Sequence, residues 1–320
     1  MANLLAEERC ITKFNFEKLG NIEFIGVSRA ASGTAIAIPQ LRIQLDAGMN
    51  VYNFHPDSVF VTHCHADHSF RLTHFVSRSK PPKFFMPTSM TDLVESYLFA
   101  SQQLSNGSVM NKDDYDVNHH TIGTIGGEKL EGFSKNKDLG AYVINCDHGH
   151  TQSIGYAFYL KQKKLCRHLQ GQDKSNISRM AKEGIQVTEE IETPLFIFLG
   201  DTTPNVFDSN YQNSAFTYLQ LGWKVVFVEC TFLSNDEIDN ASRTGHTHWT
   251  QLKPVIESYP DVTFVLMHFS RRYKKTDVEE FFRNENIHNI RLFISPEDQL
   301  NNGETLHIVD QFPVLKLEEI

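Results

Sequence analysis

The sequence predicts a layered α/β protein with a mixed β-sheet system and helices on its outer faces. Short apolar runs rich in β-branched and aromatic residues recur along the chain, which is the pattern of buried strands. The first part of the chain contains mostly such runs, whereas segments with helical spacing alternate with them in the later part. The 320 residues, 40% of them hydrophobic, suffice for one large packed core.

The elements follow from these patterns in chain order. The apolar runs predict strands at residues 21–27, 34–39, 41–48, 58–63, 83–87, 141–146, 154–160, 195–201, 224–230, 262–269 and 290–294. Apolar residues at helical spacing predict helices at residues 90–101, 176–183, 214–221, 249–257 and 277–283. The alternation of the two types over the second half favours helices that pack outside a sheet.

Two polar segments interrupt this order. Residues 102–140 are polar and carry several glycines, and they are expected to form a meandering hairpin region. Residues 161–193 begin basic and end acidic, and they are expected to form an insertion. Because there is no low-complexity tract and no clear repeat, the simplest organisation is a single domain spanning residues 1–320.

The composition limits the cellular compartments and the binding partners that are expected for this protein. The formal net charge of −9 means that any polyanion must bind a local basic patch against the field of the whole molecule. Five cysteines without a CxxC pair favour a reducing compartment over an oxidised secreted scaffold. The N-terminus lacks the apolar core of a signal peptide, and no run is long enough to span a bilayer. We therefore expect a soluble intracellular protein of the cytoplasm or nucleus.

Several predicted strands end in residues that bind metals. The ends carry "HCHADH" (63–68), "DHGH" (147–150), Asp201 and His268. Because neighbouring strands deliver side chains from their carboxyl ends into one crevice, we expect these residues to converge. Asp201 alone has the alternative of a helix N-cap, and His268 alone that of a partly buried histidine. The metal interpretation therefore depends on the whole set.

The spacing inside "HCHADH" has its own physical consequence. In an extended segment His63 and His65 point to the same side, so both can reach one metal ion. Asp67 and His68 follow where the chain turns into a helix, and they can face a second ion. Cys64 lies between the two histidines, points away and is expected to pack. Imidazole and carboxylate ligands suit zinc, manganese or iron(II).

Other histidines are interpreted differently. His119 and His120 lie in a polar stretch and are expected at the surface. The alternative for "HCHADH" itself is a histidine-rich surface loop. Four potential ligands directly behind an apolar strand favour the metal site. A carboxylate such as Asp201 would then bridge two ions about 3.5–4 Å apart, the arrangement used in hydrolysis.

"HCHADH" resembles the HxHxDH hallmark of the metallo-β-lactamase superfamily. Further stretches, in the same order over about residues 20–295, resemble ribonuclease Z, the tRNA 3′-processing endonuclease, in a short form similar to the plant nuclear or cytosolic proteins. These stretches are "SIGY" (153–156), "FLGDTT" (198–203), "VECTFL" (228–233), "GHTHWTQL" (245–252) and "MHFSRRY" (267–273).

The resemblance implies an αββα four-layer sandwich of two mixed β-sheets with helices on the outer faces, and two zinc ions. One ion would be held by His63, His65 and His148, with His150 as the alternative to His148. The other would be held by Asp67, His68 and His268, and Asp201 would bridge the two. Ribonuclease Z proteins are commonly homodimers, which makes a second copy an expected partner. Residues 161–193 would be a reduced form of the arm that grips tRNA.

The resemblance also implies an activity. It is hydrolysis of the phosphodiester 3′ of the discriminator nucleotide in a tRNA precursor, which leaves a tRNA 3′-hydroxyl and a trailer 5′-phosphate. Asp67 would accept the proton of the attacking water. His246 would protonate the leaving oxygen, supported by Glu229. Further positions that match residues near the substrate phosphate are Thr202, Ser270 and Arg272.

Two other functions stay open at this point. The first is a hydrolase of the same fold that acts on other RNAs, small phosphodiesters or a β-lactam. The second is a metal-free binding protein, which the complete ligand set argues against. For an RNA substrate, the basic stretches "SRSKPPK" (77–83), "KQKKLCRH" (161–168) and "SRRYKK" (270–275) are the candidates for phosphate contacts.

Overall fold

The computed structural model describes residues 9–51, 54–76, 80–112, 115 and 120–294. This part of the chain forms two seven-stranded sheets, the first containing β1 to β7 and the second β8 to β14. A cluster of buried residues from both sheets lies between them, and two further clusters join the sheets to helices. The predicted α/β sandwich of two mixed sheets is confirmed.

The first sheet follows chain order from edge to edge. Its strands are β1 (Cys10–Phe16), β2 (Gly20–Arg29), β3 (Gly33–Ile38), β4 (Ile43–Leu45), β5 (Ser58–Phe60), β6 (Lys83–Pro87) and β7 (His120–Thr124). Strands β1 to β4 pair antiparallel, and β4 to β7 pair parallel. The parallel half places the carboxyl ends of β4 and β5 side by side, where polar side chains can meet.

The second sheet has the same mixed character. Its strands are β8 (Lys129–Glu131), β9 (Leu139–His148), β10 (Thr151–Leu165), β11 (Thr188–Phe198), β12 (Val225–Glu229), β13 (Thr263–Met267) and β14 (Ile290–Leu292). Strands β8 to β11 pair antiparallel, and β11 to β14 pair parallel. The carboxyl ends of β11, β12 and β13 therefore share one edge.

The helices are short apart from three. They are α1 (Ala66–Ser69), α2 (Thr73–Val76), α3 (Thr91–Asn106), α4 (Lys174–Lys182), α5 (Ala215–Gln220), α6 (Ile238–Thr244), α7 (Trp249–Ser258) and α8 (Lys275–Glu285). Val94 and Leu98 of α3 share a buried cluster with first-sheet residues. Trp249 and Leu252 of α7 share another buried cluster with residues of the second sheet. No helix in the described ranges is long and apolar enough to cross a membrane.

Aromatic rings fill the space between the sheets. Phe158 and Phe196 stack with their ring centroids 4.7 Å apart. Phe24 from the first sheet meets Phe196 edge-on at 4.9 Å, and Phe60 meets Phe158 edge-on at 5.1 Å. Each such side chain contributes about 1.5–3 kcal/mol when buried. These packed rings fix the position of one sheet against the other, so that the strand ends carrying polar side chains lie together.

Replacing Phe196 with alanine is expected to lower the free energy of unfolding by about 3–5 kcal/mol, because the side chain is fully buried and would leave a cavity. Urea unfolding followed by circular dichroism measures this. The control is Leu221→Ala, at a side chain that is 65% exposed, with an expected change below about 0.5 kcal/mol. Equal changes in the two variants would contradict this account of the core.

Every predicted strand is present, but the sequence missed β1, β7, β8, α2 and α6. Strands β10 and β11 also continue into residues 161–193, where Leu165 pairs with Thr188 and α4 lies beyond the strands. The sequence did not predict these strand ends as strands. Their charged residues are mostly exposed, so apolar and polar residues do not alternate as they do in a half-buried strand. Residues 161–193 thus form a strand pair with a helix at its tip.

Candidate metal centre

The candidate site lies where strand ends of both sheets meet. His63 follows β5, and His148 is the last residue of β9. Asp201 lies beyond β11, and His268 directly follows β13. All four residues are at most 4% exposed. Burying so many polar groups costs free energy unless each one has a hydrogen-bond or metal partner. Their convergence at one place therefore indicates a common binding site.

The first group of potential ligands contains three histidines and one carboxylate. His63 Nε2 lies 3.1 Å from His65 Nδ1, and His148 Nε2 lies 3.3 Å from the same atom. Asp201 Oδ2 lies 3.6 Å from His63 Nε2. The four ligand atoms all lie within 4.8 Å of one another. One cation can therefore contact every member of the group.

The second group uses the other oxygen of Asp201. His68 Nε2 and His268 Nε2 lie 3.2 Å apart. Asp67 Oδ2 lies 3.6 Å from His268 Nε2, and Asp201 Oδ1 lies 3.4 Å from His68 Nε2. Oδ1 and Oδ2 of Asp201 thus face different groups. The carboxylate is placed to bridge two cations.

These groups fit tetrahedrally bound metal ions such as zinc. With metal–nitrogen bonds of about 2.0–2.1 Å, neighbouring ligand atoms of a tetrahedron lie about 3.3 Å apart. The nitrogen–nitrogen separations of 3.1 to 3.3 Å lie at this value. Nitrogen and oxygen ligands without thiolates are typical of catalytic rather than structural zinc. The residues present are therefore suited to hold two metal ions.

The ring nitrogens that face away from the centre have protein partners. His148 Nδ1 lies 2.8 Å from the carbonyl of Gly245. His268 Nδ1 lies 3.1 Å from Thr231 Oγ1. Such contacts set the ring orientation and the tautomer, which leaves Nε2 available as a ligand. Contacts within the protein therefore fix the orientation of both rings.

Asp46 is a residue of the site that the sequence reasoning missed. It is fully buried directly after β4, with a positive φ of 54°, and it lies 2.8 Å from His68 Nδ1. It also accepts a hydrogen bond from the Thr62 backbone at 2.7 Å. Burial raises the pKa of Asp46, while His68 and Thr62 act against that rise. One signal in the sequence was that Asp46 directly follows the last apolar strand residue of the run 41–48, much as Asp201 ends the run 195–201.

Asp67 is held in place from the opposite side of the cleft. The backbone N–H of Ala31, in the turn between β2 and β3, donates to Asp67 Oδ2 at 2.8 Å. Burial alone would raise the pKa of Asp67, but the His268 hydrogen bond and the charge of His68 outweigh it and lower the pKa to about 2. Asp67 is therefore an ionised carboxylate, which suits it to metal binding.

Glu229 and His246 form an acid–base pair next to these groups, and His246 also forms a third set of potential ligands with Asp201 and His268. His246 Nδ1 lies 2.8 Å from Glu229 Oε1 at the end of β12. The fully buried Glu229 also accepts hydrogen bonds from the backbones of Thr202 at 2.8 Å and Thr247 at 3.1 Å. Burial alone would lower the pKa of His246, but the Glu229 carboxylate raises it to about 9. The Glu229 carboxylate therefore favours the protonated form of His246.

The structure distinguishes His148 from His150. His148 is 4% exposed and lies in the first ligand group. His150 is exposed in the turn between β9 and β10, and it joins no ligand group in the described part of the chain. Gly149 makes this turn with a φ of 60°, which glycine adopts without strain. His120 is exposed, as expected, whereas His119 lies outside the described residues.

A cleft of about 360 Å³ opens above the site. Of the three residues expected near a substrate phosphate, Ser270 and Arg272 line this cleft and Thr202 does not. Thr202 is fully buried, and its hydroxyl donates to the Thr203 carbonyl at 3.0 Å and accepts from the Asp147 backbone at 3.0 Å. The prediction that Thr202 contacts a phosphate does not fit this position, because its hydroxyl is already bonded inside the protein.

Cys64 packs against the cluster between the first sheet and its helices, as its position between two ligand histidines suggested. Burial raises the pKa of the Cys64 thiol to about 12. A protonated thiol that packs among apolar residues is not a metal ligand at neutral pH. The centre therefore uses only nitrogen and oxygen atoms.

No protein-family model matches the chain. Among curated proteins, it is 29% identical over 262 residues to tRNase Z TRZ1 of Arabidopsis thaliana, covering 80% of this chain and 88% of that protein. It is also 29% identical over 265 residues to the chloroplastic tRNase Z TRZ2 of the same plant, covering 80% and 69%. A nuclear ribonuclease Z of Triticum aestivum is 26% identical over 172 residues, covering 52% and 91%.

Solved structures share the fold. Human tRNase Z, short form (ELAC1), superposes with a TM-score of 0.50 at 15% identity, covering 84% of this chain and 95% of that one. The metallo-β-lactamase fold protein YhfI from Bacillus subtilis gives a TM-score of 0.52 at 11% identity, covering 84% and 95%. The two-sheet sandwich and these solved structures show that the chain has the metallo-β-lactamase fold, and its sequence is similar to plant proteins named tRNase Z.

Proposed function

We propose that this protein is a zinc-dependent endoribonuclease that cuts tRNA precursors 3′ of the discriminator nucleotide. Its products would be a tRNA with a 3′-hydroxyl and a trailer with a 5′-phosphate. The observation that carries the proposal is the pair of ligand groups joined by Asp201, open to a cleft beside the Glu229–His246 pair. The Arabidopsis relatives, named tRNase Z, support the choice of substrate.

Two zinc ions are the proposed cofactors, and manganese or iron(II) could use the same nitrogen and oxygen ligands. The residues that would hold them are His63, His65, Asp67, His68, His148, Asp201 and His268. Bound zinc lowers the pKa of water to about 7 and so supplies a nucleophile at neutral pH. The protein holds the ligand side chains in position. The proposed histidine ligands other than His65 are nearly inaccessible to solvent, so little bulk water reaches them.

Asp67 is proposed to accept the proton of the attacking water. Its carboxylate lines the cleft and is ionised, and the Ala31 N–H fixes its orientation. Because this acceptor is held by the backbone, little reorganisation is needed when the proton arrives.

His246 is proposed to donate a proton to the leaving 3′-oxygen. Its Nδ1 faces Glu229, so Nε2 is the nitrogen available towards the cleft, which His246 lines. Glu229 holds the ring and supports the imidazolium form before transfer. Ser270 and Arg272 are proposed to contact substrate phosphate oxygens from the cleft wall.

A 3′-extended tRNA precursor incubated with zinc-loaded protein tests the proposal. We expect one cut after the discriminator nucleotide, with a 3′-hydroxyl on the tRNA and a 5′-phosphate on the trailer, mapped by end-labelled gel analysis. An uncut precursor beside hydrolysis of bis(p-nitrophenyl) phosphate or of a lactam would contradict the proposed substrate. That result would favour the alternative hydrolase of the same fold.

Further features belong to the same proposal. Residues 1–320 would form one domain whose reduced arm, residues 161–193, presents exposed basic residues of α4 to the RNA. The protein would act as a homodimer in the cytoplasm or nucleus. The five unpaired cysteines are consistent with a reducing compartment.

A further inference from the structure

Arg271 differs from the other charged residues of the cleft. It is an exposed cation in the cleft wall, three residues after the ligand histidine His268. Within the described part of the chain its guanidinium makes no hydrogen bond and no ion pair. We propose that Arg271 binds the phosphate next to the one that is cleaved, and so favours polynucleotides over small phosphodiesters. This inference rests on the proposed endonuclease function.

The neighbouring Arg272 is less suited to that role. Its guanidinium forms an ion pair with Glu237, which also accepts a hydrogen bond from the Tyr273 hydroxyl. The positive charge of Arg272 is therefore partly offset before any substrate arrives. Of these two consecutive arginines, Arg271 is the one with its full charge and all its donors available to a ligand.

The backbone that carries Arg271 is held from two sides. Arg29 Nη2 donates to the carbonyl of Tyr273 at 2.6 Å and to that of Arg271 at 3.4 Å. The backbone N–H of Ser270 donates to the Thr231 carbonyl at 3.0 Å. Because the backbone is already held, only the Arg271 side chain has to be ordered when a ligand binds.

Burial places Arg271 above the reacting centre rather than in it. Asp201 and His268 are 3% and 1% exposed and form the floor of the cleft, whereas Arg271 is exposed at its rim. A phosphate over the floor would face the two ligand groups, so the rim cation is placed for the adjoining phosphate. A guanidinium binds phosphate with paired, charge-assisted hydrogen bonds.

The charge of the whole molecule makes such a contact more important. With a formal net charge of −9, the protein does not attract RNA over long distances. A local cation at the rim offsets the repulsion from this net charge along the path of the RNA backbone.

Kinetics of zinc-loaded Arg271→Ala test the inference with two substrates. We expect KM for the tRNA precursor to rise about 10- to 100-fold, because a charge-assisted contact is lost, with little change in kcat. Hydrolysis of bis(p-nitrophenyl) phosphate, which has no adjoining phosphate, should stay within about twofold. Arg271→Lys should recover part of the loss. Arg283→Ala, at an exposed arginine of α8, controls for the change in net charge.

Binding of a single-stranded RNA oligonucleotide, measured by fluorescence anisotropy at several salt concentrations, gives a readout independent of cleavage. Arg271→Ala should lower the slope of log K against log salt by about 0.7. Equal losses on both substrates, an unchanged slope, or a KM effect in Arg272→Ala but not in Arg271→Ala would overturn the inference. If wild-type protein leaves the precursor intact but the slope falls as expected, the proposed function fails and the Arg271 contact stands.

Discussion

Replacing Asp201 with alanine is expected to reduce cleavage of the tRNA precursor by at least about three orders of magnitude. The reason is that Oδ1 and Oδ2 of Asp201 face the two ligand groups separately, so one substitution removes a ligand from both. Loss of several kcal/mol of transition-state stabilisation corresponds to a rate change of this size. Single-turnover kinetics with excess enzyme measure the rate, and atomic emission spectroscopy measures zinc per chain.

The zinc content separates this prediction from simple unfolding. We expect zinc to fall from about two ions per chain in the wild type to one or none in Asp201→Ala, while the far-ultraviolet circular dichroism spectrum is retained. Asp201→Asn keeps the shape and should show the same direction of change. Asp261→Asn, at an exposed carboxylate outside the ligand groups, is the matched control. Full zinc content together with full activity in Asp201→Ala would contradict the bridging role.

Replacing His246 with alanine is expected to lower kcat on the precursor by about 10²- to 10⁴-fold, the usual contribution of a general acid. The zinc content should stay at the wild-type value, because the proposed ligand set does not include His246. On bis(p-nitrophenyl) phosphate the loss should be much smaller, since a nitrophenolate leaves without being protonated. This difference between substrates identifies the role as proton donation to the leaving oxygen.

Glu229→Gln is expected to reproduce part of the His246→Ala defect. The amide cannot balance an imidazolium charge, although it keeps the shape of the carboxylate beside His246 Nδ1. His288→Ala, at an exposed histidine, serves as the control for both variants. An equal loss on both substrates in His246→Ala would instead indicate a positioning role and remove the general-acid assignment.

Much of the fold was readable because each central strand is buried on both faces. The runs 224–230 and 262–269 contain almost only apolar residues, and they form β12 and β13 in the middle of the parallel half of the second sheet. Edge strands were harder, since β8 (Lys129–Glu131) is largely exposed and carries charged residues. An edge strand is defined by its neighbour, which local sequence does not reveal.

The ligand positions show the same division. The spacing of His63 and His65 on an extended segment was sufficient to predict that both side chains lie on the same side of the segment. In the structure His63 Nε2 lies 3.1 Å from His65 Nδ1. Asp46 could not be assigned in this way. Its carboxylate meets His68 across 22 positions of sequence, and only the parallel pairing of β4 with β5 brings those segments together.

The sequence by itself indicated a layered α/β fold and a cluster of imidazole and carboxylate side chains, and its resemblance to a known superfamily implied the αββα arrangement. Strand patterns and metal-binding side chains are local properties, because they depend on residues a few positions apart. Only the tertiary structure decided that His148 rather than His150 lies in the ligand group and that Thr202 is buried. It also decided that, of the two arginines lining the cleft, Arg272 pairs with Glu237 while the Arg271 guanidinium has no partner among the described residues. Burial and pairing depend on distant segments, so they exist only once the two sheets have packed.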